Sequence, residues 1–101
     1  MKGNQEAFVK LEVYNYIRNN GSKKVPVQTS QICWALGLRP RELRNIIRDL
    51  REQYPIVSKE EDGGGYWIAK DNGDIEMFVE RITRRKKRYE HTIRTMKKHL
   101  K

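Results

Sequence analysis

Arg41, Arg44, Arg48 and Arg51 recur at steps of three and four residues. On a regular helix each residue advances about 100°, so the four guanidinium groups fall in one stripe, and Leu43, Ile46, Ile47 and Leu50 cluster roughly a third of a turn or more away. A guanidinium is a planar fork of N–H donors that matches paired acceptors on phosphates and on base edges. The apolar face packs, and the cationic face is left to meet a polyanion. The same division also describes a solvated helix, so the neighbouring residues decide between the two.

Those neighbours form a second, shorter helix that must position the first. Ile32 and Leu36 give it an apolar face, and Thr29 or Ser30 is expected to cap its start. Gly37 supplies a left-handed turn, and Pro40 suits the first position of the next helix, where a missing amide hydrogen costs nothing. Segment 29–51 therefore predicts two helices joined by a tight turn.

This spacing resembles the helix-turn-helix family. Cys33 stands where that family has a small residue under the turn, Gly37 is in the turn, and Leu43 and Ile46 occupy the two buried positions of the recognition helix. The resemblance implies that Arg39, Arg41, Arg44, Asn45 and Arg48 face the major groove of double-stranded DNA. Arg39 departs from the family, which has Ser or Thr as the cap; Glu42, three residues on, can still bond back to the helix start.

Beyond Gln53, the short β-branched run 54–59 and the run 65–69 flank a glycine-rich turn at 60–64, which predicts a hairpin. Pro55 stops the helix and tolerates a strand start. The expected fold is mainly α with a small antiparallel β-hairpin: a winged helix-turn-helix over residues 1–70, and a long C-terminal helix over 71–101. The string YPIVSKEEDGGGYWIAKD is similar to the wing of small winged proteins carried by phages and other mobile elements of Gram-positive bacteria. The tip carries Glu60, Glu61 and Asp62, which phosphate repels. The expectation is that Lys59, Lys70 or Trp67 touches DNA while the tip points away.

The formal net charge of +9 is unevenly placed. Residues 1–80 hold 12 basic and 12 acidic groups, whereas residues 81–101 hold 10 basic groups against Glu90 alone. Such a segment raises nonspecific affinity for nucleic acid by counterion release. Asp71 or Asn72 is expected to cap a helix beginning near Asp74. From there Ile75, Val79, Ile82, Lys86, Tyr89, Ile93, Met96 and Leu100 follow alternating steps of four and three to the end of the chain, a heptad seam with one lysine in it. Val79, Lys86, Ile93 and Leu100 take the a position, and the others d. In a parallel pair Arg85 at g meets Glu90 at e of the partner.

The favoured reading packs the near half of this helix on the body, where helix 1 offers Phe8, Leu11, Tyr14 and Ile17 on one side and Val9, Val13 and Tyr16 on another. The far half, through Ile82, Lys86, Tyr89, Ile93, Met96 and Leu100, then pairs with a second copy. The alternative is a basic arm ordered only by DNA. In either case Arg41, Arg44, Asn45 and Arg48 read base edges, Arg to guanine and Asn to adenine. Arg39, Arg51, Lys23, Lys24, Lys59, Arg84, Lys87 and Arg88 hold phosphate. Two recognition helices in a homodimer would meet half-sites about one DNA turn, ~10 bp, or a multiple apart.

Other chemistry is expected to be absent. His91 and His99 lie eight apart on the last helix with no Cys or His at ligand spacing, so no metal or other cofactor is expected. No nucleophile–base pair, paired carboxylates or phosphate-binding glycine loop appears, so the chain is not read as an enzyme. Trp34 and Trp67 are assigned to core or edge packing. The single cysteine, Cys33, excludes an internal disulfide and suits a reducing compartment. With no membrane-length apolar run and no signal-peptide pattern, a cytoplasmic location is expected.

The function expected from these parts is a dimeric regulator of transcription belonging to a phage or plasmid, with RNA polymerase as one partner. The same chemistry would serve to mark a replication or conjugative-transfer origin, recruiting an initiator or relaxase. A third use is a winged domain for protein contact or RNA, with the basic tail as a nonspecific anchor.

Overall fold

A computed structural model describes residues 3–59 and 64–101 of the chain. It is mainly helical: α1 (Gly3–Asn20), α2 (Thr29–Leu36), α3 (Pro40–Leu50), β1 (Ile56–Ser58), β2 (Tyr66–Ile68) and α4 (Asn72–Lys97) follow in order. The chain divides into two compact units, residues 1–70 and residues 71–101. The acidic tip expected at Glu60, Glu61 and Asp62 lies outside the described residues.

In the first unit three helices close on one apolar cluster. Val13 and Ile17 of α1, Ile32 of α2, and Leu43, Ile46, Ile47 and Leu50 of α3 are buried together with Val27 and Ile56. All are aliphatic, and five of the nine are isoleucine, so the buried centre between the helices is filled by stiff branched side chains. On α1 the core side is Val13 and Ile17, supported by Val9, Tyr14 and Tyr16. Phe8 and Leu11 stay 63% and 51% exposed, so the α1 face expected to run from Phe8 through Ile17 is buried only at its C-terminal end.

β1 and β2 pair antiparallel in the register Ile56 with Ile68, Val57 with Trp67 and Ser58 with Tyr66. The strands are shorter than the sequence runs suggested. A third piece of backbone joins them: Val27, between α1 and α2, exchanges two hydrogen bonds with Tyr66, its N–H donating to the Tyr66 carbonyl at 3.0 Å and the Tyr66 N–H donating back at 2.8 Å. Gly65 makes this approach possible. Its φ of +92° is left-handed, and a Cβ there would stand 2.5 Å from the Pro26 Cβ. Val57 and Trp67 are also buried, as cross-strand partners.

One expected cap differs, and the other is met although its helix starts early. The residue that caps α2 is Gln28, whose own N–H donates to Gln31 Oε1 at 2.7 Å, and Thr29 is already inside the helix. Asp71 caps α4, its carboxylate accepting from the Asp74 N–H at 2.9 Å, so the helix starts at Asn72, two residues earlier than expected. α4 ends at Lys97. Leu100 therefore lies beyond the helix, in a closing turn where its N–H donates to the Lys97 carbonyl.

Candidate nucleic-acid interface

The geometry of α3 is set at its start by a turn that only a few residue types can make. Gly37 adopts φ +66° and ψ +36°, and the N–H of Leu38 donates to the Cys33 carbonyl at 3.0 Å, which closes α2 and reverses the chain within two residues. Leu38 then packs against the core. Arg39 is extended, and Pro40 opens α3. The Arg39 N–H donates to Glu42 Oε1 at 3.1 Å, so Glu42 supplies the reciprocal half of a capping box, from the third helical position back to the cap residue's amide.

The far end is fastened as well. The Arg51 N–H donates to the Ile47 carbonyl, and Arg51 Nε donates to the Ile56 carbonyl at 2.9 Å, tying the end of α3 to the start of β1. Arg51 thus has a bracing task in addition to the phosphate contact expected of it. Tyr54, three residues on, stacks its ring on Tyr14 of α1 with centroids 3.9 Å apart and planes inclined by 24°. On the flank, Lys10 of α1 reaches Asp49 of α3, Nζ to Oδ2 3.2 Å.

Between these anchors α3 is divided lengthwise. Leu43, Ile46, Ile47 and Leu50 are buried, while Arg41, Arg44, Asn45 and Arg48 are exposed. The helix therefore presents three guanidinium groups and one carboxamide from a backbone whose path is fixed at both ends. Arg39 is exposed just before the helix. Lys23 and Lys24 are exposed in the bend after α1, where the Val25 N–H donates to Ser22 Oγ. Lys59 is exposed at the end of β1. Lys70 after β2 is exposed, whereas Trp67 is buried and 7% exposed, which argues against the DNA contact expected of it.

Trp34 overturns its expected role. It is 89% exposed on α2, a helix of eight residues in which Ile32 alone is buried. Cys33, half-buried beside the turn, has its thiol pushed up from the ordinary range by burial and by the nearby Glu42 carboxylate, which disfavours the thiolate.

In the second unit Arg84, Lys87 and Arg88 are exposed along α4. The heptad face is exposed as well: Ile82 by 38%, Tyr89 by 63%, Ile93 by 54%, Met96 by 61% and Leu100 by 77%. Lys86 lies 3.9 Å from Glu90 on the same helix, Nζ to Oε1. Glu90, expected to meet Arg85 of a parallel partner, is thus approached from within its own chain.

Among the described residues no group of His, Cys, Asp and Glu is arranged to hold a metal ion, and no helix is long and apolar enough to cross a membrane. Comparison of the chain with protein-family models, with curated proteins and with solved structures finds no match.

Proposed function

We propose that this chain is a sequence-specific double-stranded DNA-binding protein that acts as a homodimer and regulates transcription. The observation that carries the reading is the lengthwise division of α3: four aliphatics hold it to the core, and Arg41, Arg44, Asn45 and Arg48 stand exposed away from it. The order α1, Val27 bridge, α2, α3, β1, β2 supports a winged helix-turn-helix arrangement, in which the exposed face of α3 enters the major groove.

An arginine fork pairs with the O6 and N7 acceptors of guanine and an asparagine carboxamide with adenine, each good pair worth about 1–3 kcal/mol of discrimination. Arg39, Lys23, Lys24 and Lys59 contribute phosphate contacts that set register without reading sequence. Arg84, Lys87 and Arg88 add nonspecific affinity that falls with salt.

Selection of bound sites from random duplex DNA at fixed salt tests the proposal. The expected result is a recovered motif of two half-sites, with duplex DNA preferred over duplex RNA of equal length. Recovery of no motif, or equal binding of both duplexes, would count against base reading by α3.

A further inference from the structure

We infer that two copies of this chain pair through α4 in antiparallel orientation. The inference deepens the homodimer proposed above by fixing the partner, the face and the direction. Its failure is separable from failure of the DNA reading, because the base-reading residues all lie on α3.

α4 is continuous over 26 residues, about 39 Å of helix. One face of it is a heptad row, Ile75, Val79, Ile82, Lys86, Tyr89, Ile93 and Met96, continued by Leu100 in the closing turn, and its apolar members are between 37% and 77% exposed. A row of this length with one lysine suits a second helix of the same kind.

Charge selects the direction. Residues 71–80 contain four acidic and no basic groups, and residues 81–101 contain ten basic groups and one acidic. A parallel pair lays the two basic segments side by side along their whole length. It also sets Lys86 against the same lysine of the other copy in a single a layer. Its one compensating contact, Arg85 with Glu90 of the other copy, competes with Lys86 for the same carboxylate.

Reversing one helix removes the paired Lys86 layer and lessens the repulsion: residues 81–94 still overlap their counterparts, but Lys97, Lys98 and Lys101 move from the basic segment of the other copy to its acidic start. In an antiparallel pair each a residue lies level with a d residue, and the row is matched to itself without a gap: Ile75 with Leu100, Val79 with Met96, Ile82 with Ile93, and Lys86 with Tyr89. The lysine stem then lies along an aromatic ring, with its ammonium directed to solvent or over the ring face. The acidic start of each helix meets the basic end of the other, which brings Glu76 near Lys97 across the flank.

The test uses the full chain with Cys33 replaced by serine. Ile82→Cys is introduced in one tagged copy and Ile93→Cys in another, and Val79→Cys and Met96→Cys form a second set. Under mild oxidation, mixed copies of each set are expected to form covalent dimers, while Ile82→Cys alone is not, because its two sulfur positions stand about 16 Å apart along the axis. Sedimentation of the unmodified protein is expected to show a dimer at tens of micromolar. Cross-linking of Ile82→Cys with itself, a dimer in which neither mixed set cross-links, or a monomer throughout would each overturn the inference.

Discussion

Lys10 on α1 and Asp49 on α3 form an ion pair of 3.2 Å, placed where the one carboxylate in the second half of α3 adjoins Arg48. Both side chains are partly exposed, 30% and 50%, so the pair adds little to stability. Its consequence is electrostatic: it offsets a negative charge that would otherwise oppose phosphate beside the guanidinium stripe. Lys10→Ala is expected to cost less than about 1 kcal/mol of folding stability and to weaken DNA binding at low salt. The deficit should shrink as salt rises. Adding Asp49→Ala should restore the affinity, and a double-mutant cycle on both unfolding and binding measures the two effects apart.

Gly37 and Gly65 both require positive φ, but only Gly65 is also crowded. Gly37→Ala meets open space and should cost about 1–2 kcal/mol, the strain of a left-handed alanine. Gly65→Ala adds a collision with Pro26 at the point where Val27 joins the hairpin, and should cost more. Urea unfolding of both variants checks the order; a smaller cost for Gly65→Ala would place the Val27 strand elsewhere.

The two tryptophans have opposite surroundings, with Trp34 89% and Trp67 7% exposed. Trp34→Phe should leave stability within about 0.5 kcal/mol of the original and leave an emission spectrum at shorter wavelength, from Trp67 alone. Trp67→Phe should leave emission at longer wavelength and lower the unfolding midpoint.

How much of the fold and the candidate site was legible in the chain depended on the length of each pattern. α3 was legible in full, because its aliphatics and arginines repeat over three turns and Pro40 and Glu42 mark its start. The hairpin was legible from two β-branched runs about a turn, although the paired strands are only three residues each. The Val27 bridge was not, since a one-residue strand has no periodicity; the neighbouring Val25 and Pro26, both averse to helix, were the one signal for extended backbone there. Gln28 has no cap signature in its residue type, because glutamine works there through the reciprocal bond with Gln31 rather than as a preferred cap type. The exposure of Trp34 was not legible, because aromatic bulk suggests burial, whereas a two-turn helix beside a turn has room to bury only one narrow edge.

The basic groups of α4 should act on affinity without acting on sequence preference. Replacing Arg84, Lys87 and Arg88 by glutamine is expected to reduce the slope of log affinity against log salt by up to about 0.9 for each phosphate that is no longer neutralised. The ranking of DNA sequences should be unchanged. A shifted preference would mean that α4 meets base edges.

The exposed face of α3 stands at the centre of the proposed function as the element that reads sequence. The most direct test is the ratio of specific to nonspecific dissociation constants for the unmodified protein and for Arg44→Ala, measured at one salt concentration on a selected site and on unrelated duplex DNA. The expected result is a fall in discrimination of about tenfold to a hundredfold, corresponding to removal of one bidentate pairing with a base, with nonspecific affinity nearly retained. Unchanged discrimination, with both affinities lowered together, would contradict base reading by this face.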